Sequence, residues 1–269
     1  MDAPKNKTDW MIRAFLQVKA ALSAEIATCS GEFISEDYIR SALLRGLMLS
    51  DPKQAHRVQA EMDAPWSACQ PWNAAAGAAD TRARQHDIGV SPEGADNGLV
   101  CEVKWLKQAQ TLKVMQDVWK VAFTRRMCNE AQCVRTYLLI GGEHKAFSET
   151  LTSLHKNKWN FRWSSAGRGE YMKPESRILN LSLALQRSKS VLNAAAAVLN
   201  RGKSGLRTPP ECAHSLRLSV CDIWHLKVGN RSWTAVLWEL DHRGVNENTI
   251  DWEAMKNNLE NTKSAKASD

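Results

Sequence analysis

Residues 101–107 read Cys-Glu-Val-Lys-Trp-Leu-Lys. As a β-strand this run points Glu102 and Lys104 one way and Cys101, Val103 and Trp105 the other. A surface strand scatters its charges and a core strand carries none, so a carboxylate and an ammonium sharing one face ask for a purpose. Working outward, "RARQHDIGV" (82–90) and "LVCEVKW" (99–105) are two strand patterns separated by Ser-Pro-Glu-Gly-Ala-Asp-Asn-Gly, a loop dense in turn residues. A hairpin centred between Gly94 and Ala95 sets Ile88 opposite Cys101 and Asp87 opposite Glu102. Asp87, Glu102 and Lys104 then share a face, while Ile88, Val90, Leu99, Cys101, Val103 and Trp105 line the core. Two carboxylates facing across a hairpin repel. A hard divalent cation resolves that repulsion, because Mg²⁺ takes one or two carboxylates and completes its shell with water and phosphate oxygens. Lys104 would reach the same volume, to orient or deprotonate a water or to stabilise charge developing on a phosphate.

The surrounding sequence has the grammar of a mixed α/β domain. Residues 8–28 carry Trp10, Ile12, Phe15, Leu16, Val18 and Leu22 at helical spacing. Ser35, followed by Glu36 and Asp37, caps a second helix through "YIRSALLRGLML", ended by Asp51-Pro52. "HRVQAEMDAPW" reads as a first strand. After Lys107 the period becomes helical, with Leu112, Met115, Trp119, Ala122 or Phe123, and then Met127 on the inward stripe. "VRTYLLIGG" is a short apolar strand and "FSETLTSLH" opens another helix. Further on, Pro174 opens a long amphipathic helix to Arg201, its stripe running through Ile178, Leu181, Leu185, Leu192 and Leu199. That stripe suits packing on its own domain, or a homodimer seam. Finally "LRLSVCDIWHLKV" and "SWTAVLWEL" flank Gly229-Asn230, a hairpin signal.

Composition sets the class. The chain has 269 residues, 43% hydrophobic and 24% charged, in the range of a globular protein. No apolar run approaches a membrane span and the N-terminus shows no signal-peptide pattern, so a cytoplasmic location with no membrane partner is expected. Seven cysteines, an odd number, suit free thiols. The net charge of +7 is unevenly spread. Between Ser153 and Arg207 stand eleven Lys/Arg and two acids, with Trp159, Phe161, Trp163 and Tyr171 interleaved. Such a segment can contact phosphates and stack on bases, or be a solvated insertion whose aromatics belong to the core. Cys212, His214, Cys221 and His225 fall close together, but their spacing matches no common zinc arrangement. No Walker-type phosphate loop is present, which argues against an ATP-driven motor in this chain.

Asp87 in "QHDIGV", Glu102 and Lys104 in "CEVKW", and the order helix, three strands, helix, strand resemble the PD-(D/E)xK nuclease superfamily over about residues 32–155. The resemblance implies an α/β fold with a restriction-endonuclease-like αβββαβ core around a mixed central sheet. It also implies Mg²⁺ or Mn²⁺ held by Asp87 and Glu102, and phosphodiester hydrolysis assisted by Lys104. His86 stands where the motif has proline. Some branches add a glutamine on the following helix, here Gln116, in a Q-x-x-x-Y pattern whose last position is Lys120 in this chain. Others add an acid from the first core helix, for which Glu36 is the match. The expected organisation is an N-terminal helix (1–30), the nuclease-like core (31–157), a basic, aromatic and helical insertion (158–207), a C-terminal hairpin (208–252) and a polar tail (253–269). The expected function is a metal-dependent DNA endonuclease in defence, mobile-element processing or repair. It would grip nucleic acid through Lys156, Lys158, Arg162 and Arg168, as a homodimer or with a partner subunit. The alternative is a catalytically inactive nucleic-acid-binding or assembly subunit.

Overall fold

The structure is a computed structural model that describes residues 8–29, 31–63, 85–93, 98–127, 134–157 and 215–241. It also describes residues 159, 163–164, 173–174, 177–181, 183–184, 188, 190–191, 194–195, 198 and 250. Helix α1 (Thr8–Cys29) buries Trp10, Met11, Ala14, Phe15, Val18, Leu22 and Ile26, the three–four spacing of a one-faced helix. Helix α2 (Glu36–Ser50) starts as the sequence dictates: Ser35 Oγ accepts a hydrogen bond from the Tyr38 amide at 3.1 Å. The two helices lie so close that a Cβ on Gly46 would fall 2.6 Å from the Ala14 carbonyl oxygen. Trp10 Nε1 ties them further by donating to the Leu47 carbonyl at 2.8 Å.

A 3-10 turn (Pro52–Arg57) leads into β1 (Val58–Asp63), followed by β2 (Gln85–Val90) and β3 (Gly98–Leu106). Helix α3 (Thr111–Met127), β4 (Val134–Glu143) and α4 (His144–Lys156) complete the first part of the chain. With β7 (Arg177–Asn180), β8 (Ser215–Val228) and β9 (Arg231–Asp241), the main sheet has seven described strands in the order β1-β2-β3-β4-β9-β8-β7. Among the described strands only β3 and β4 pair in parallel, with α3 as the crossover that a parallel pair requires. β8 (Ser215–Val228) and β9 (Arg231–Asp241) form the hairpin expected around Gly229-Asn230, and β9 docks antiparallel on β4. Gly229 has φ 58°, the left-handed turn conformation that favours glycine. The result is an α/β fold with an open, mixed sheet. None of the described helices is long and apolar enough to cross a membrane.

Two cores flank the sheet. Ile88, Val90, Leu99, Cys101, Val103, Trp105, Tyr137 and Leu139 pack against α1 and α2. Leu138, Ile140, Val236 and Trp238 pack against α3 and α4 on the other side. The first set contains every residue that alternation assigned to the core face of the β2–β3 hairpin.

Two expectations are corrected. Residues 174–180 do not open a helix. Lys173–Pro174 forms β6 beside β5 (Trp163–Ser164), and Arg177–Asn180 forms β7 on the sheet edge, paired with Leu218–Ser215. The strand points Ile178 outward, 49% exposed, and Leu179 inward, and the expected helical conformation is found at the described positions from Leu181 onward, among them 183–184, 190–191, 194–195 and 198. Asn180 then caps the turn after β7, its Oδ1 accepting from the Leu183 amide at 2.7 Å. Leu181, Ala184, Val191, Ala194, Ala195 and Val198 of the downstream segment are buried in the α3–α4 core. Leu185, Leu192 and Leu199 lie outside the described residues. On α3, Leu112 is exposed, and Val114, Met115, Val118, Trp119, Val121, Ala122 and Phe123 form the buried stripe.

Candidate active site

The β2–β3 pairing has the register read from the loop: Ile88 faces Cys101, Gly89 faces Val100 and Val90 faces Leu99. The pairing stops there, although β2 stays paired with β1 as far as Gln85. Beyond Ile88 the strands part, and Asp87 replaces a backbone acceptor with its own side chain: Oδ2 takes the Val103 amide at 2.7 Å. Its Oδ1 lies 3.4 Å from Arg40 on α2, and Arg40 also binds Asp37. Strict alternation would have set Asp87 directly across from Glu102. Instead the His86 ring meets Glu102, with Nδ1 2.6 Å from Oε1.

Glu102 is fully buried and both its oxygens are engaged. Oε1 contacts His86 and Oε2 accepts from Lys120 Nζ at 2.8 Å. The far side of the His86 ring, Nε2, meets Thr124 Oγ1 on α3 at 2.6 Å. Lys120 also donates to the Gln85 carbonyl at 3.3 Å and lies 3.9 Å from Asp117 Oδ1. Asp117 in turn faces Lys104, Oδ2 to Nζ 3.5 Å, and Lys104 donates to Glu36 Oε2 at 3.0 Å. The groups form one alternating chain: Glu36, Lys104, Asp117, Lys120, Glu102, His86, Thr124. It runs from the half-buried first turn of α2 to the fully buried interior between the sheet and α3.

Five carboxylates, Glu36, Asp37, Asp87, Glu102 and Asp117, face three cations, Arg40, Lys104 and Lys120, in this network. Charge balance is therefore short by two positive units if all are ionised. Burial acts on that imbalance. It pushes the Glu102 and Asp117 carboxyls each up to about 8, against the opposing pull of the two lysines. Burial also lowers His86 to about 3, helped by the Lys120 charge, so His86 is a neutral imidazole. For Lys104, burial alone would favour the uncharged amine, but Asp117 and Glu36 outweigh it and its pKa is raised. Lys120 behaves likewise under Glu102 and Asp117. Both lysines are firmly protonated at neutral pH.

In kind, this donor set suits a hard divalent cation. Its ligands are carboxylate oxygens, and Asp117 Oδ2 is buried yet accepts no hydrogen bond. Among the described residues, no three Asp, Glu, His or Cys side chains are grouped to ligate one ion, so a cation here would rest on one or two carboxylates with water or phosphate oxygens completing its shell.

Of the residues expected at the site, Asp87, Glu102, Lys104 and Glu36 are brought into one network. Gln116 is half-buried on α3, and its neighbour Asp117 is the residue that joins the chain. Thr124, Asp117 and Arg40 were not singled out from sequence, and His86 was noted only as standing where the motif has proline. Lys120 was visible only as a departure from the Q-x-x-x-Y pattern, and Asp117 three residues earlier shares its helix face. Lys156 is exposed at the end of α4, while Lys158, Arg162 and Arg168 lie outside the described residues. Trp159 belongs to the core, edge-on to Trp119, and is not offered for base stacking. Of the four Cys/His residues near the C-terminus, Cys212 and His214 are outside the described residues. His225 shares the Thr234 hydroxyl with His144, each Nδ1 at 3.0 Å. Comparison with protein families, with curated proteins and with solved structures finds no match.

Proposed function

We propose that the chain is a metal-dependent nuclease of the PD-(D/E)xK type, acting on phosphodiester bonds with DNA as the favoured substrate. The observation that carries this reading is the gathering of Asp87, Glu102 and Lys104, with Glu36 and Asp117, into one carboxylate-rich network where β2 parts from β3. The element order of helix, three strands, helix and strand supports it. Mg²⁺ or Mn²⁺ would be held by Asp87 and Glu102, and when bound would supply an activated water and screen the phosphate charge. Lys104, held protonated between Glu36 and Asp117, stabilises charge developing on the phosphate and does not act as a base at neutral pH. Arg40 fixes the Asp87 carboxylate, and His86 and Lys120 fix Glu102. Gln116, beside this network, is a secondary contact. The basic segment that begins at Lys156 and contains Lys158, Arg162 and Arg168 would contact the nucleic-acid backbone. Genome defence, mobile-element processing or repair are the settings that suit such an enzyme, as a homodimer or beside a partner subunit.

A second reading is favoured by one contact. Lys120 already neutralises Glu102 at 2.8 Å, as expected of a subunit that keeps the fold for nucleic-acid binding or assembly without turnover. Purified protein incubated with single- and double-stranded DNA and RNA, with Mg²⁺, Mn²⁺ or EDTA, separates the two. The nuclease reading expects metal-dependent cleavage that Lys104→Ala lowers by about two orders of magnitude or more. Salt-sensitive binding without cutting would establish the second reading, and cleavage that persists in Lys104→Ala would remove this site from the chemistry.

A further inference from the structure

Asp117 is the one buried acid of the network with an oxygen left over. Both oxygens of Glu102 are engaged, by His86 and Lys120, and both of Asp87, by Arg40 and the Val103 amide. Asp117 is 6% exposed, and its Oδ2 accepts no hydrogen bond. A carboxylate oxygen taken out of water without a donor costs free energy unless something else supplies positive charge. Lys104 Nζ lies 3.5 Å from this oxygen as an ion pair without a hydrogen bond, and Lys120 Nζ lies 3.9 Å from the other oxygen, Oδ1. With Asp117 ionised, the volume beside it is one in which positive charge is favoured and incompletely supplied, because the fully ionised network holds two more carboxylates than cations.

We propose that Asp117 is a ligand of the site's divalent cation, so that helix α3 contributes a carboxylate to the metal. This rests on the reading that a divalent cation works at this site, and sets Asp117 beside either Asp87 or Glu102 as one of its two carboxylates. The cation class is hard and oxygen-seeking, Mg²⁺ or Mn²⁺, since every nearby donor is a carboxylate oxygen. Asp117 need supply only one of the one or two carboxylates such an ion requires, with water or phosphate oxygens completing its shell. Asp117 lies on α3 one turn before Lys120, so the helix that carries a cation to Glu102 also carries the acid that attracts one.

The test is a Mn²⁺ titration of the purified full chain without nucleic acid, reading free Mn²⁺ by electron paramagnetic resonance. Asp117→Asn should weaken Mn²⁺ binding about tenfold or more, while Glu239→Gln, remote from the network, leaves it unchanged. Asp117→Ser, which removes the carboxylate and leaves room for water, gives the same readout if the Asn variant does not fold. Wild-type affinity in a folded Asp117 variant, or no Mn²⁺ binding by the wild type, overturns the proposal. Mg²⁺-dependent cleavage that survives Asp117→Asn would overturn it and leave the nuclease reading standing. Asp117-dependent Mn²⁺ binding in a chain that cuts no nucleic acid would do the reverse.

Discussion

Two ion networks lie on neighbouring strands of the same sheet, and they are built to opposite plans. On β4 and β9, Arg135 and Glu239 form a bidentate pair, with hydrogen bonds of 2.8 and 2.7 Å joining one guanidinium to one carboxylate. The charges balance and the geometry uses both oxygens of Glu239, so the pair joins two strands and leaves neither oxygen without a donor. At the open end of β2 and β3, five carboxylates share three cations, one buried carboxylate oxygen accepts no hydrogen bond, and two carboxyls are raised by burial. An ion network that serves only stability has no reason to keep an uncompensated acid. The contrast supports the proposal that a further positive charge belongs at the second network.

The comparison can be broken by mutation. Glu102→Ala strips Lys120 and His86 of their buried partner and should cost about 3–5 kcal/mol. Glu239→Ala removes a partly exposed partner and should cost about 1–2 kcal/mol. Equal losses in chemical denaturation of the two variants would mean that the networks are alike.

It can be sharpened by pH, with a smaller effect. Glu102 and Asp117 bind protons more tightly folded than unfolded, so their contribution is present at low pH and is lost as pH rises through about 8. His86 acts oppositely: its folded pKa of about 3 removes stability as pH falls below about 6.5. In EDTA, the melting temperature should therefore fall between pH 6.5 and 8.5, on the order of 5 °C. Asp117→Asn should reduce that fall, and Mg²⁺ should raise the melting temperature more at pH 8.5 than at pH 6.5. A melting temperature flat across this window would show that neither carboxyl is held protonated.

Much of the frame was legible in the sequence because it is set locally. Ser35 caps α2 through its own hydroxyl, and the turn-rich loop 91–98 sets the register that places Ile88 opposite Cys101. β7 was not legible, because apolar spacing around Ile178 and Leu181 fits a helix, and the decision lies with the pairing partner Leu216–Leu218 far along the chain. The site was legible in half. Glu102 and Lys104 follow from strand alternation. The roles of His86 and Asp117 depend on where the β2–β3 pairing ends and on which face of α3 meets the sheet, and neither is encoded in the tripeptide itself. Lys120 could be seen as a departure from a pattern, but its contact with Glu102 could not.

The most direct measurement is a crystal of the full chain soaked in Mn²⁺, with anomalous difference density used to place the ion. A peak within ligand distance of Asp117 Oδ2 and an oxygen of Asp87 or Glu102 is the result expected. Density confined to other parts of the molecule, or none at the network with Lys104 and Lys120 still seated on Asp117 and Glu102, would contradict it.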